Sequence, residues 1–240
     1  MTKSRALIIS MSEFHSRSGG IQLDPRKGVM RDSKRLFSVL SSLGFAVSLH
    51  IDVSAEEIKE IYQAESRMPQ GDCFLSILSS HGEEGVIYDF YGKRIYLRDL
   101  YDLLSPENCP ELAGIPKLFF IQACRGAELD EGAILETDGG PQHISAFSHI
   151  DFLPRDTVVV FASSEGYAAF HNPLGSVFLQ TLCEMLSGNE KDLELTQLLT
   201  RLNHWVAFKF ESRGQYGGYK EMPCYITNLT RDLYPFRCRT

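Results

Sequence analysis

Short, mainly apolar runs of strand length recur along the chain, and they constrain its fold more than any other feature. Five of them cover residues 7–11, 45–51, 73–78, 117–121 and 157–161. A strand that is apolar on both faces belongs in a sheet covered on both sides, which is typical of parallel α/β proteins. The sequence therefore predicts a mostly parallel sheet between two layers of helices.

Helical periodicity and capping signals occupy the segments between these runs. Apolar residues at helical spacing over residues 27–43 predict one helix, which Gly44 ends as a glycine commonly does. Ser54 and Glu57 have the spacing of a capping box and predict a helix to about residue 67. The remaining predicted elements are a hairpin (86–96), three helices (97–104, 176–186 and 193–212) and a last strand (223–227).

Length, charge and cysteine usage indicate one soluble globular unit. The 240 residues suffice for a single domain, and 24 basic against 31 acidic residues leave a net charge of −7. The sequence contains no basic block and no apolar stretch of signal or membrane-spanning length, so we expect neither nucleic acid nor membrane as a partner. Six cysteines without paired spacing argue against a disulfide framework or a metal site. We expect no cofactor, no metal and a cytoplasmic location that could include the nucleus.

Two apolar runs are followed by residues that can carry acyl-transfer chemistry. His81 and Gly82 follow the run at 73–78, and Cys124 follows the run at 117–121. Adjacent parallel strands end at one edge of a sheet, which is where ligands bind in such folds. A thiol needs a neighbouring imidazole to take up its proton. Taken singly, each residue is more often structural, but together they predict a catalytic pair with Gly82 and Cys124 N–H groups as oxyanion donors.

The residues around these positions resemble those of the caspases. Gln122-Ala-Cys-Arg-Gly126 is the pattern of the caspase nucleophile, and Ser80-His-Gly82 places the histidine 43 residues before the cysteine. Glu136-Thr-Asp138 and Phe210-Glu-Ser212 match as well, and the likeness covers nearly the whole chain. The resemblance implies a caspase-like three-layer α/β sandwich with a mostly parallel six-stranded sheet and helices on both faces.

Caspases are proteases that cleave after aspartate, and the resemblance implies a role for each matching residue. It implies Cys124 as the nucleophile, His81 as the general acid and base, and Gly82 with Cys124 as oxyanion donors. It also implies that the backbone carbonyl of Asp24 orients the imidazole. The predicted activity is therefore that of a cysteine endopeptidase.

The resemblance also implies a pocket for the substrate's aspartate side chain. Arg26 matches a family arginine and Gln122 matches its partner, and a guanidinium fork suits a carboxylate. Phe170 and His171 stand where an aromatic residue and a second arginine are usual. Phe170 can wall the neighbouring subsites, whereas His171 could supply charge only when protonated. We therefore expect weaker activity on aspartyl substrates than is usual in the family, with a rise as pH falls.

The stretch between residues 126 and 156 lacks periodicity and predicts a long functional or disordered loop. By resemblance, caspases are zymogens that are cut in this region after an aspartate. Asp138 is the predicted processing site and Asp130 the second choice. Processing would give a large subunit of residues 1–138, with the histidine and cysteine, and a small subunit of residues 139–240. An unprocessed acidic linker is the alternative.

The last predicted strand suggests a partner for the chain. An apolar strand at 223–227 would form a sheet edge, and such an edge invites pairing with a second copy across a two-fold axis. The family dimerises in this way, although the chain's tail could cover the edge instead. The expected partners are protein substrates with aspartate at the cleavage position and a second copy of the large and small subunit pair.

Two other interpretations of the resemblance stay open. A weakly active or inactive homologue could regulate other caspases by pairing with them, since His171 replaces the second arginine. The broader peptidase group that cuts after Arg or Lys needs carboxylates in its pocket, which Arg26 opposes. Residues 165–170 resemble the caspase of cornifying epithelium, and the short stretch before Arg5 is similar to short-prodomain members. The expected setting is apoptosis, inflammation or differentiation.

Overall fold

The computed structural model of the chain describes residues 2–16, 21–126, 153–211 and 218–237. The strands are β1 (Arg5–Ser10), β2 (Ala46–Ile51), β3 (Phe74–Ser79), β4 (Gly82–Glu83), β5 (Val86–Tyr88), β6 (Arg94–Tyr96), β7 (Lys117–Gln122), β8 (Thr157–Phe161), β9 (His171–Asn172), β10 (Gly175–Ser176) and β11 (Cys224–Thr227). The α-helices are α1 (Val29–Ser42), α2 (Ala55–Ser66), α3 (Leu97–Leu103), α4 (Val177–Ser187) and α5 (Leu195–Lys209). Short 3₁₀ turns cover Pro110–Leu112 and Asn189–Asp192.

The main sheet has six strands in the order β11-β8-β7-β3-β1-β2. Strands β2, β1, β3, β7 and β8 are parallel, and β11 runs antiparallel to β8. The mostly parallel six-stranded sheet predicted from the sequence is therefore confirmed. Because five strands run the same way, their carboxyl ends share one edge of the sheet.

Each face of the main sheet packs against its own helices. Successive strand residues point to opposite faces, so Leu118 and Phe120 of β7 join one apolar cluster while Phe119 and Ile121 join the other. The first cluster includes the apolar faces of α1, α4 and α5, and the second those of α2 and α3. This double burial explains why the strand sequences are apolar throughout. The predicted layer of helices on both faces is confirmed.

Local signals set several helix ends as the sequence predicts. At the start of α2, the Glu57 backbone N–H donates to the Ser54 hydroxyl at 3.2 Å, and the Ser54 N–H donates to the Glu57 carboxylate at 2.7 Å. This is the predicted capping box. Gly44, two residues after α1, has a φ of 90°, which a glycine adopts without strain.

Three features differ from the sequence predictions. Helix α5 is shorter than the predicted 193–212 because the Glu194 carboxylate caps its first turn and Phe210 is already extended. Strand β4 adds a third strand to the predicted hairpin, and β9 with β10 forms a further hairpin. Strands of two residues carry no detectable periodicity. The predicted processing positions Asp138 and Asp130 lie outside the described residues.

The helices that the structure describes include none with the length and apolar run that a bilayer crossing needs.

Candidate active site

The register of β3 and β7 places the predicted catalytic residues side by side. Ser79 at the end of β3 is paired with Gln122 at the end of β7, and the Ser80 N–H donates to the Gln122 carbonyl at 3.1 Å. His81 and Cys124 each stand two residues beyond a paired position. His81 and Cys124 therefore lie at the same edge of the sheet.

The imidazole of His81 is held by a backbone carbonyl. Its Nε2 lies 2.8 Å from the Asp24 carbonyl oxygen, the contact that the resemblance implied. A carbonyl only accepts, so Nε2 carries a proton, which leaves Nδ1 as the acceptor in the neutral ring. Burial lowers the pKa of His81, and the nearby Arg26 charge lowers it further, against the opposing effect of Asp24. A neutral imidazole can receive the proton of a thiol.

Gly82 lies where two backbone segments approach each other closely. A Cβ atom at this position would lie 2.6 Å from the Val86 carbonyl oxygen, 2.9 Å from the Ala123 Cβ and 3.2 Å from the Cys124 carbonyl oxygen. The sequence argument expected a glycine so that a substrate could approach. The structure adds a second reason, because the start of β5 and the Cys124 loop already fill the space of a side chain.

Cys124 lies in a loop that pairs with the loop after β8. The Arg125 N–H donates to the Tyr167 carbonyl at 3.0 Å, and the Gly166 N–H donates to the Arg125 carbonyl at 3.2 Å. The Cys124 Sγ lies 3.7 Å from the Ala169 carbonyl oxygen. The thiol is partly exposed. It is therefore fixed in position but within reach of a peptide bound along the segment that contains Ala169.

The Arg125 side chain holds this loop against neighbouring strands and turns, a role that the sequence analysis did not predict. Its buried guanidinium donates to Glu84 at 2.7 Å and to the Cys224 sulfur at 3.2 Å, and it lies 4.1 Å from the centre of the Phe161 ring. These partners come from three separate strands or turns. The motif marked Arg125 as important, but only the folded chain shows what it contacts.

A buried cationic pocket lies beside the thiol. Arg26 is 5 % exposed, and its Nη1 donates to the Met11 carbonyl at 3.0 Å. Burial lowers its pKa to about 10, while Cys124 and Asp32 favour its charged form, so the guanidinium is charged at neutral pH. Gln122 is also buried, and its Oε1 has no hydrogen-bond partner within the described parts of the chain. The charged guanidinium can attract a small anionic group.

Asp32 joins the cationic pocket to the β9–β10 hairpin, which is another role that the sequence analysis missed. Its carboxylate accepts a hydrogen bond of 2.7 Å from the Ser176 N–H. Burial raises the pKa of Asp32, against the opposing effects of Ser176 and Arg26. The hairpin includes the backbone of His171, whose side chain lies outside what the structure describes.

Phe170 directly follows Ala169, and its predicted role as a wall of neighbouring subsites stays a prediction. Its ring centre is 5.3 Å from that of Phe210, which follows α5. Its backbone N–H donates to the Glu221 carboxyl group at 2.6 Å. No sequence signal pointed to Glu221, because the contact joins residues 51 positions apart.

The structure thus gathers most of the predicted residues at one edge of the sheet. A thiol and an imidazole at adjacent strand ends, with the Gly82 backbone packed against that of Cys124, are the components of a cysteine-dependent acyl transferase or hydrolase. The buried guanidinium of Arg26 adds a positive charge beside them.

Comparison with known proteins shows which family of cysteine-dependent enzymes this chain is similar to. A family model described as "Caspase domain" matches residues 3–234. Caspase-7 from Gallus gallus is 37 % identical over 96 % of this chain and 76 % of its own, and Caspase-3 from Mesocricetus auratus is 36 % identical over 95 % and 82 %. The crystal structure of Caspase-1 from Spodoptera frugiperda superposes with a TM-score of 0.81 at 33 % identity, covering 96 % of this chain and 90 % of that one.

The chain therefore belongs to the caspase-domain family, with a caspase-like α/β sandwich. It is a cysteine peptidase, as the sequence predicted.

Proposed function

We propose that this caspase cleaves proteins after aspartate and that Arg26 and Gln122 recognise the aspartate side chain. The observation that carries the proposal is the buried, charged guanidinium of Arg26 beside the Cys124 thiol. Burying a guanidinium costs free energy, which the nearby Asp32 offsets in part, and a substrate carboxylate would add charge-assisted hydrogen bonds to it. The Gln122 side-chain amide would donate a further hydrogen bond to the substrate carboxylate.

We assign the catalytic steps to Cys124, His81 and Gly82. The neutral His81 ring accepts the Cys124 proton at Nδ1, and the sulfur attacks the carbonyl carbon of the scissile peptide bond. Backbone N–H groups of Gly82 and Cys124 stabilise the oxyanion of the tetrahedral intermediate. The protonated imidazole then gives its proton to the departing amine, and the C–N bond breaks to leave a thioester on Cys124.

Hydrolysis of the thioester restores the enzyme. A water molecule attacks the thioester carbonyl while His81 accepts one of its protons. The C–S bond breaks, the acid product leaves, and the proton on the imidazole returns to the Cys124 sulfur. The Asp24 carbonyl keeps the ring in one orientation through both steps, because it accepts the Nε2 proton at 2.8 Å.

Fluorogenic peptides that differ only in the residue before the cleavage point test this function. The purified chain, assayed before and after limited proteolysis, is expected to cleave the Asp peptide and to leave the Lys peptide intact. Cys124→Ala is expected to abolish cleavage, and Cys183→Ala, which changes a buried core cysteine, is the matched control. Cleavage that persists in Cys124→Ala, or that prefers Lys, contradicts the proposal.

We further propose that the enzyme is a zymogen that functions as a dimer in the cytoplasm. Cleavage at Asp138 would divide it into residues 1–138 and residues 139–240. Support for the dimer comes from β11, which lies at the edge of the main sheet and pairs with β8 on one side. Asp138→Ala should prevent self-processing, and analytical ultracentrifugation should show a dimer after cleavage. A fully active, uncut Asp138→Ala monomer contradicts both ideas.

A weakly active homologue that regulates other caspases is the second candidate, and the replacement of an arginine by His171 favours it. Absence of cleavage in the wild-type assay, together with stable association with an active caspase, would support this candidate. The likeness of residues 165–170 to the caspase of cornifying epithelium stays a prediction. We propose a role in apoptosis, inflammation or differentiation, with apoptosis favoured by the similarity to Caspase-3 and Caspase-7.

A further inference from the structure

Glu221 is a buried acid next to the active site, and the catalytic steps above do not use it. It is 1 % exposed, and its Oε2 accepts the hydrogen bond from the Phe170 N–H at 2.6 Å. Its Oε1 is buried and has no hydrogen-bond partner among the described residues. Burying a carboxyl group with one oxygen unsatisfied costs free energy.

The contacts around Glu221 connect it to the thiol. Phe170 directly follows Ala169, whose carbonyl oxygen lies 3.7 Å from the Cys124 Sγ. The other end of the same loop is held nearby, because the Ser164 hydroxyl donates to the Met222 carbonyl at 3.0 Å. Glu221 and Met222, shortly before β11, therefore anchor both ends of the loop that faces Cys124.

We propose that Glu221 is a positioning residue of the peptidase reaction: its carboxyl group fixes the backbone of Phe170 and so keeps the Ala169 carbonyl beside the Cys124 thiol. Glu221 itself does not touch the reacting atoms. The inference depends on the peptidase activity of the chain and is independent of the preference for aspartate. A displacement of this backbone by about 1 Å would be enough to lower catalysis substantially.

The ionisation of Glu221 gives this role a pH dependence. Burial raises the pKa of Glu221 to about 8, and the Phe170 N–H opposes the rise. Below pH 8 the group is a neutral acid that still accepts the N–H. Above pH 8 a buried negative charge would rest on one hydrogen bond, and we expect the loop to loosen.

The segments around Glu221 carry these further ionisable groups: Cys124, Arg125, Glu165, Tyr167, Lys209, Glu211, Tyr219, Lys220 and Cys224. The Lys220 ammonium is directed elsewhere, since it donates to the Phe210 carbonyl at 3.2 Å and to Glu211 at 3.1 Å. Burial raises the pKa of Glu221, the Phe170 hydrogen bond opposes that rise, and no charged group contributes to the shift. His171 follows Phe170 in the chain.

The test measures kcat and KM on a fluorogenic peptide from pH 6.5 to 9.5. Glu221→Gln keeps an acceptor for the Phe170 N–H but cannot ionise, so its kcat/KM at pH 7 should stay within about 3-fold of wild type. Its ratio of activity at pH 9 to activity at pH 7 should exceed the wild-type ratio. Glu221→Ala removes the acceptor and should lose about 10- to 100-fold. Glu194→Gln is the matched control, because Glu194 also accepts backbone N–H groups but lies at the start of α5.

Two readouts separate this inference from other outcomes. The rate of Cys124 alkylation by iodoacetamide reports the thiol environment without any peptide, so it remains informative if the preference for aspartate is wrong. A Glu221→Gln pH profile identical to the wild-type profile overturns the proposal. If Glu221→Ala does not fold, the Glu221→Gln profile alone tests the proposal. Glu221→Ala within 2-fold of wild type, or the same profile change in Glu194→Gln, also overturns it.

Discussion

Replacing Arg26 with lysine tests how the pocket recognises an acidic side chain. Arg26 is 5 % exposed and uses Nη1 on the Met11 carbonyl, so the rest of its guanidinium fork is available to a substrate carboxylate. A charge-assisted hydrogen bond in such a site contributes about 1.5–3 kcal/mol. Lysine keeps the charge but replaces the planar fork with a single ammonium group. Loss of one of two hydrogen bonds predicts a fall of about 10- to 150-fold in kcat/KM for an Asp peptide.

The assay compares matched peptides with Asp and Asn before the cleavage point. Asn has nearly the same shape without the charge, so Arg26→Lys should affect it much less and the Asp-to-Asn preference should shrink. Arg5→Lys is the matched control, because Arg5 is a partly buried arginine that lies away from the site. Its guanidinium donates to the Glu65 carboxylate at a distance of 2.6 Å. Thermal melting identifies any loss that comes from the Met11 contact. Equal losses on both peptides, or no loss on the Asp peptide, would refute carboxylate recognition by Arg26.

Three further predictions follow from single residues. His171→Arg should raise kcat/KM on Asp peptides and flatten the expected increase of kcat/KM toward low pH, because arginine stays charged at every pH assayed. An unchanged pH profile of kcat/KM contradicts this prediction. Gly82→Ala should lower kcat by about 100-fold, because a Cβ would lie 2.6 Å from the Val86 carbonyl oxygen and displace the site; activity near wild type contradicts this. Hydrogen bonds to the Glu194 carboxylate lower its pKa below the value that it has in the unfolded chain. The ionised carboxylate therefore stabilises the fold at pH values above the unfolded-state pKa of Glu194, and this stabilisation is lost as pH falls through its folded-state pKa. Glu194→Gln should therefore reduce Tm by a few degrees at pH 7 and much less at pH 3, as a pH series of melting curves would show.

The sequence predicted the elements whose signals are local. The capping box of Ser54 and Glu57 involves residues three positions apart, so the pattern is visible in the chain itself. The doubly apolar strands predicted a covered parallel sheet, because burial on both faces demands such sequences. The β9–β10 hairpin escaped prediction, since two-residue strands lack periodicity and depend on tertiary contacts such as that between Asp32 and Ser176.

The same division holds for the candidate site. His81 and Cys124 were identified because each follows a strand and parallel strands end together. Arg125 and Glu221 act through partners far away in the chain, at Glu84 and Cys224 for the first and at Phe170 for the second. No spacing rule reports such contacts. The reason for a glycine at position 82 was also incomplete until the neighbouring backbone atoms were known.

Covalent labelling with a peptide that carries an aspartyl chloromethyl ketone tests the central claim most directly. Mass spectrometry of the digested protein locates the adduct, and the other cysteines serve as internal controls. The account predicts a single adduct on Cys124, formed much more slowly in His81→Ala and not competed by a matching lysyl peptide. An adduct on another cysteine, or labelling of Cys124 at the wild-type rate in His81→Ala, would contradict it.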